Sequence, residues 1–296
     1  MTQAQPRILV TGANSGIGRE IVRQLAAQGA QLILACRDAE AGARTIDELR
    51  EELPDAQLEV RQVDVSSPPS IRAFAHRLTR DGRKLDVLVN NAGVHLPARR
   101  PSPEGLELTF ATNVLGTFLT ALELLPLLEA GAAERGGRAG RIVNVASTFA
   151  AAPELDDPQF LRRPYNGQRA YQESKAGDRM LTRALARRLA ARGVTVNSMA
   201  PGLVQTRLFR DTNPLTRLMI GVAGLLRGKS VEQGADTAVW LAADPAVEGR
   251  SGGFHSQRQE RPCEFADPAA EERLWRLCEE LTQREHWPCP PVGAQV

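Results

Sequence analysis

The chain has little excess charge, few cysteines, few aromatics and no long apolar run, and most of these shortages remove a class of function. Lys and Arg number 37 and Asp and Glu 35, a formal net charge of +2. That balance gives no reason to expect nucleic acid or an acidic partner. The basic residues are mostly arginine and are scattered, as on a solvated surface. The four cysteines, Cys36, Cys263, Cys278 and Cys289, form no C-x-x-C and have no histidine at ligand spacing. This pattern argues against a zinc site or a disulfide framework and fits a reducing, cytoplasmic setting. No stretch reaches the roughly 18 consecutive apolar residues that span a bilayer. Met1 to Arg7 is polar and leads straight into a strand, with no apolar signal region. A soluble, non-secreted protein is expected. Aromatics make up only 4%.

What is present is an ordinary balance of 42% hydrophobic and 24% charged residues over 296 positions, enough for one large α/β domain. Strand and helix patterns alternate. Arg7 to Thr11, Gln31 to Cys36, Leu58 to Val63, Leu85 to Val89, Arg141 to Ala146 and Val194 to Met199 read as strands. Helical spacing marks Arg19 to Gln28, Ala39 to Leu53, Ser70 to Arg80, Leu106 to Leu128 and Tyr171 to Arg192. Pro126 is expected to disturb the last turn of the fourth helix, and Gly193 to stop the fifth. Gly131 to Gly140 reads as a flexible loop. Near-continuous apolar strands alternating with helices predict a doubly wound parallel sheet covered on both faces, a Rossmann fold. One domain is expected over 1–296, with a core from about 6 to 283 and a flexible tail over 284–296.

Thr11-Gly-Ala-Asn-Ser-Gly-Ile-Gly18 follows the first strand and opens a helix. Gly12, Gly16 and Gly18 permit a tight turn and close backbone approach to a pyrophosphate, with Asn14, Ser15 and Ile17 between them. The helix N-terminus then supplies N–H groups and the positive end of its dipole. The spacing is G-x-x-x-G-x-G rather than G-x-G-x-x-G. At the end of the second strand an acidic residue would accept from a ribose 2′-OH and select NAD. Here the strand ends Ala35-Cys36-Arg37, and Arg37 can pair with a 2′-phosphate, which favours NADP(H) over NAD(H). The alternative leaves Arg37 solvated and gives the ribose to Asp38.

Tyr171 and Lys175 are four residues apart, one helical turn on one face. A phenol ionises near pH 10, and a neighbouring cation draws it toward the phenolate. Such a pair can move a proton to or from an alcohol oxygen.

With Asp64-Val65, Asn90-Asn-Ala-Gly93, Asn113, Ser147, Tyr171-x-x-x-Lys175 and Pro201-Gly202 following the glycine-rich turn in order, the chain resembles the short-chain dehydrogenase/reductase family over about residues 6–283. The resemblance implies that Asp64 and Val65 hold an adenine ring and that Asn91, Ala92 and Gly93 border the cofactor. It implies that Asn113 supports a relay water beside Lys175, that Ser147 hydrogen-bonds the substrate oxygen, and that Tyr171 is the acid/base. Lys175 also binds the nicotinamide ribose, and Pro201, Gly202, Val204 and Thr206 lie by the cofactor, Thr206 near the carboxamide. Asn144 is expected to bond local backbone.

The stretch between Ser147 and Tyr171, with Glu154 to Phe160 and Arg162 to Tyr165, is longer than is typical and resembles the retinol dehydrogenase-like subgroup, which also contains light-dependent protochlorophyllide reductase. Its members usually prefer NADP. The subgroup's membrane-bound animal members have an N-terminal anchor, which the polar Met1 to Arg7 segment does not lead one to expect here. His95 stands where the subgroup more often has an apolar residue; a loop residue at the pocket rim is preferred over one touching substrate. Residues 203–228 are expected as a substrate lid, apolar over 213–228, packing on the domain rather than on a membrane.

The resulting expectation is an NADP-dependent oxidoreductase acting on a lipophilic alcohol, aldehyde or ketone. A tailoring ketoreductase of a biosynthetic pathway and a catalytically weak cofactor-binding regulatory protein are the alternatives. The resemblance is compatible with a homo-oligomer through helices 106–128 and 171–192, unless the C-terminal extension covers them.

Overall fold

In the computed structural model, residues 5–136, 138–202, 204 and 229–283 are described. The expected lid, except Val204, therefore lies outside the described residues, as do Thr206, Cys289 and the tail. Eight strands form one sheet: β1 (Arg7–Thr11), β2 (Gln31–Cys36), β3 (Leu58–Gln62), β4 (Val87–Asn90), β5 (Gly140–Val145), β6 (Val194–Met199), β7 (Phe254–Ser256) and β8 (Gln259–Arg261). Their spatial order is β3-β2-β1-β4-β5-β6-β7-β8. All neighbours are parallel except the terminal β7–β8 hairpin. Strand order reverses between β1 and β4, and the crevice at such a switch point is where open α/β sheets bind ligands.

Helices α1 (Gly16–Ala27), α2 (Ala39–Glu52) and α3 (Pro68–Arg80) follow the first three strands. After β4 come α4 (Leu108–Phe110), a π-helical turn over Ala111–Leu115, α5 (Gly116–Glu123) and α6 (Leu125–Glu134). Helix α7 (Gly167–Leu189) precedes β6, α8 (Val231–Ala243) precedes β7, and α9 (Pro268–Leu281) closes the domain. Buried apolar side chains form two large clusters. Leu88, Ile142, Phe118, Leu185 and Trp275 belong to one; Val10, Val89, Val143, Leu25 and Ala238 belong to the other. Val87, Leu88 and Val89 divide between these clusters, as period-two alternation in a doubly covered strand requires.

Three sequence readings change. Pro126 does not disturb a last turn; it stands in the first turn of a new helix, α6, where its missing N–H costs nothing. The two segments Leu108–Glu123 and Leu125–Glu134 meet at 47°. Gly131 belongs to α6 rather than to a loop, and it is glycine where the helix passes so close that a Cβ would fall 1.9 Å from the Leu85 carbonyl oxygen. The sheet also gains β7 and β8, three-residue strands too short for periodicity to mark. Gly193 does stop α7, at φ 64°. No single helix among the described residues is long and apolar enough to cross a membrane.

The C-terminal helix packs on α7. Trp275 is buried edge-on to Phe118 with ring centres 4.9 Å apart, and the Arg188 guanidinium lies 3.9 Å from the centre of its ring. Glu271 pairs with Arg183 and Arg187, and Glu272 with Arg188. Truncating Trp275 to alanine would cost about 3–5 kcal/mol on the usual scale for a fully buried aromatic. These contacts brace α7 behind the residues it presents to the crevice.

Candidate active site

A groove of about 500 Å³ opens at the C-terminal ends of β1, β2, β4 and β5. Gly12, Asn14, Ser15, Gly16, Ile17, Gly18, Arg37, Asp64, Val65, Asn91, Ala92, Gly93, Tyr171, Lys175 and Pro201 all line it. Residues as far apart as Gly12 and Pro201 thus share one cavity because parallel strands deliver their C-terminal ends to one edge.

The glycine-rich turn is held by close approach. Gly12 has φ +63°, and a Cβ on it would lie 2.9 Å from Ala92 Cα. A Cβ on Gly18 would lie 2.4 Å from both Asn91 Nδ2 and the Gly12 oxygen. Ser15, the N-cap of α1, makes no side-chain cap hydrogen bond. The exposed N–H groups of the first turn and the missing Cβ atoms are what a pyrophosphate requires. Thr11, which sequence reasoning passed over, joins β1 to β4: its hydroxyl accepts from the N–H groups of Asn91 and Ala92, each at 3.0 Å. Asn91 Nδ2 donates to Thr11 O at 2.9 Å.

At the end of β2, Arg37 is exposed on the groove and Cys36 is buried, its thiol pushed up to about 11 by burial. Asp38 is engaged elsewhere, since it caps α2 and accepts from the Ala41 N–H at 2.9 Å. Asp64 accepts from the Ser66 N–H and hydroxyl at 2.9 and 2.6 Å, which orients its carboxylate at the groove wall.

Tyr171 and Lys175 project from α7 and are each 5% exposed. The Lys175 ammonium lies 5.9 Å from the centre of the Tyr171 ring. The Ser147 hydroxyl, which accepts from the Phe149 N–H at 3.0 Å, acts on the Tyr171 phenol in favour of its ionisation. Burial pushes the phenol above the ordinary tyrosine range, while Lys175 and Ser147 pull it back only in part. The cation acts as the sequence predicted, but desolvation outweighs it and the phenol stays protonated near neutrality. For Lys175 burial works against the charge, and Asp178 and Tyr171 more than offset it, leaving a firm ammonium.

Asn113 lies in the π-helical turn, fully buried. Its Oδ1 accepts from the Val94 N–H at 2.8 Å, and its Nδ2 donates to Val94 O at 3.0 Å and Ser174 Oγ at 2.9 Å. The side chain therefore ties the segment after β4 to α7. Lys175 instead donates to Val145 O at 2.9 Å and Asp178 Oδ2 at 2.8 Å. Gly93 sits between the two: a Cβ there would be 3.3 Å from Asn113 Oδ1 and 3.6 Å from Lys175 Nζ.

Other placements differ from expectation. Asn144 does not bond local backbone; it accepts from Asn90 Nδ2 at 3.0 Å and donates to Thr182 Oγ1 at 2.9 Å, linking β4, β5 and α7 beneath the site. Its neighbours are distant in sequence, which is why they were not visible there. The His95 side chain is not at the rim. It is 9% exposed, lines the groove, and meets the Tyr171 ring edge-on at 5.5 Å. Burial lowers its pKa, favouring the neutral imidazole. Gly202, at φ +84°, and Val204, bridged to Lys229, stand just beyond Pro201 and do not line the groove. Thr112, Val94, Leu96 and Ala146 do line it and were missed, having no motif of their own.

The long stretch before Tyr171 is tied down. Asp157 accepts from the N–H groups of Leu161, Arg162 and Arg163 at 2.7, 3.0 and 3.0 Å. Arg163 pairs with Glu173 at 2.6 Å and stacks 3.9 Å from the Phe160 ring centre. Tyr165 OH donates to Glu107 at 3.1 Å.

The short-chain dehydrogenase family model matches residues 6–216, and the chain belongs to that family. It is thus an NAD(P)-dependent oxidoreductase acting on alcohols or carbonyl compounds. It is 36% identical to retinol dehydrogenase 14 of Mus musculus, over 95% of this chain and 83% of the relative. It is 39% identical to a probable oxidoreductase of Streptomyces antibioticus, over 91% and 95%. The structure resembles Pseudomonas aeruginosa RhlG in its NADP active-site complex, with TM-score 0.68, 30% identity, and coverage of 85% and 94%.

Proposed function

We propose that this protein is an NADP-dependent oxidoreductase for a lipophilic alcohol, aldehyde or ketone, with Tyr171 as acid/base, Ser147 as substrate-oxygen partner and Lys175 as the cation beside both. The observation that carries this reading is that Tyr171 and Lys175 line the same groove as the glycine-rich turn, with Ser147 following the groove-lining Ala146 and acting on the Tyr171 phenol.

The glycine-rich turn, with Asn14, Ser15 and Ile17, would hold the pyrophosphate; Asp64 and Val65 the adenine; Asn91, Ala92, Gly93, Lys175 and the Pro201 segment the nicotinamide half. Arg37 supports NADP(H) over NAD(H), because it lines the groove at the end of β2 while Asp38 is spent on the α2 cap. The nicotinamide supplies or accepts the hydride when bound. The protein's own part is to place a carbonyl oxygen between the Ser147 and Tyr171 hydroxyls. As negative charge grows on that oxygen, Tyr171 gives it a proton and Ser147 stabilises it. The phenol that burial keeps protonated is the form carbonyl reduction consumes. Alcohol oxidation runs the same proton the other way. The resemblance to retinol dehydrogenase 14 supports a lipophilic substrate. So do two exposed large apolar side chains, Phe149 and Leu161, both in the stretch just before α7.

The test is a panel of lipophilic aldehydes and ketones with NADPH and NADH, wild type beside Tyr171→Phe. Removing the acid/base should lower kcat by about 10²–10⁴-fold while NADPH affinity stays within a few-fold. A Tyr171→Phe enzyme that turns over like wild type would refute the assignment.

A further inference from the structure

The active-site helix carries a third ionisable side chain that the scheme above leaves unused. Asp178 follows Lys175 by one turn and is 1% exposed. Its Oδ2 lies 2.8 Å from Lys175 Nζ. Its Oδ1 has no hydrogen-bond partner among the described residues, and the nearby Thr117 hydroxyl donates to the Asn113 carbonyl at 2.8 Å. Lys175 is therefore the strong donor to this carboxylate among the described residues. A buried carboxylate is expensive unless paired, and an asparagine would occupy the same volume without the charge. Burial pushes the Asp178 carboxyl up and Lys175 pulls it back; the 2.8 Å contact with an ammonium held also by the Val145 carbonyl is what keeps the pair charged.

We propose that Asp178 is a positioning residue: it anchors the Lys175 ammonium behind Tyr171, and its negative charge offsets part of the pull that this ammonium exerts on the phenol. The proposal rests on Tyr171 and Lys175 being the acid/base pair. Geometry supports both halves. Lys175 Nζ is held between the Val145 carbonyl and Asp178, which fixes it 5.9 Å from the Tyr171 ring centre. On Tyr171, after burial, Lys175 acts toward ionisation and Asp178 against it. The charged and titratable groups around the pair are few. Arg179 of α7 acts on Asp178, and its guanidinium is turned toward the Ser147 carbonyl and the Phe254 ring. From the segment after β4 comes His95, neutral against Tyr171; from α5 comes Thr117, and from β5 the Val145 carbonyl. The acidic residues of α9 that reach α7, Glu271 and Glu272, are engaged with Arg183, Arg187 and Arg188 further along the helix.

Neutralising Asp178 leaves the ammonium's pull unopposed, so Tyr171 ionises more readily. The shift should be about one pH unit, the order a unit charge several ångströms away produces at an effective dielectric of about 20. In Asp178→Asn, the limb along which alcohol oxidation rises with pH should move down by about one unit, about tenfold in rate at fixed pH. The limb along which carbonyl reduction falls should move down with it. Asp178→Glu, which keeps the charge, should restore the wild-type profile. Asp178→Ser, smaller and neutral, makes the same prediction should the asparagine variant not fold. Tyrosinate absorbance gives a second reading, because the chain has only two tyrosines and burial pushes Tyr165 up to about 12. A merely structural aspartate would lower kcat or Tm and leave both the profile and the titration in place, and that result would overturn the proposal. Wild type without turnover, or turnover surviving Tyr171→Phe, defeats instead the acid/base assignment beneath it.

Discussion

Gly167→Ala sets two physical effects against each other. Gly167 is the first residue of α7, after the N-cap Asn166, whose side chain accepts from the Arg169 N–H at 2.9 Å. Local propensity favours alanine there by up to about 1 kcal/mol. Packing opposes it. A Cβ at 167 would lie 1.9 Å from the Leu96 oxygen, 2.9 Å from the Leu96 carbonyl carbon and 3.1 Å from Pro97 Cα. All three are backbone atoms, so no side-chain rotation relieves the contact. Normal separation requires the 96–97 segment and the start of α7 to part by roughly 1.5 Å. Overpacking of this kind costs about 1–3 kcal/mol, so the clash wins and Tm should fall by roughly 2–6 °C. The catalytic effect should be larger. Tyr171 is one turn along the helix being pushed, and His95, which packs on its ring, immediately precedes the Leu96 that must retreat. Misplacing a reacting group by about 1 Å costs on the order of 10²-fold. Steady-state kinetics at saturating NADPH should show that loss in kcat. NADPH affinity, measured by fluorescence, should change only a few-fold, because the turn over 12–18 lies on other elements. A variant with wild-type kcat and an unchanged or higher Tm would show that the loop yields freely and that the reasoning is wrong.

Replacing Arg37 with aspartate should raise KM for NADPH by about 30–100-fold, the worth of a charge-assisted phosphate contact of roughly 2–3 kcal/mol, and lower KM for NADH. Initial rates with both cofactors check this, and unchanged values for both would leave no role for Arg37 in discrimination. Since burial holds the Tyr171 phenol above the ordinary tyrosine range, carbonyl reduction should be flat from about pH 6 to 9 and fall only at higher pH, where the proton donor is lost. A kcat profile with a descending limb centred near neutrality would contradict that ordering of burial over the Lys175 field.

Much of this molecule follows from local pattern. The limits of β2 coincide with its apolar run, because a strand buried on both faces favours apolar side chains throughout. The glycine-rich turn and the Tyr171–Lys175 spacing could be read as chemistry because each lies within a single strand–turn–helix or helical-turn unit. The family that these motifs resemble is the one the comparisons establish. Where reading failed, the deciding contact was distant. Gly131 looks like loop until the Leu85 carbonyl is placed against it, and Asn144 looks local until Asn90 and Thr182 meet it.

By itself, the sequence determined the order of the first six strands, the existence of a glycine-rich turn between β1 and α1, and which residues could move a proton. Those properties depend on neighbours within a few positions. Only the tertiary structure decided the protonation balance of the site. Burial of Tyr171 reverses the net effect expected from its lysine, His95 turns inward against the phenol, and Asp178 becomes the partner of Lys175. Desolvation and Coulomb interactions depend on what surrounds a group in space, and in a sheet of parallel strands those surroundings are assembled from the whole length of the chain.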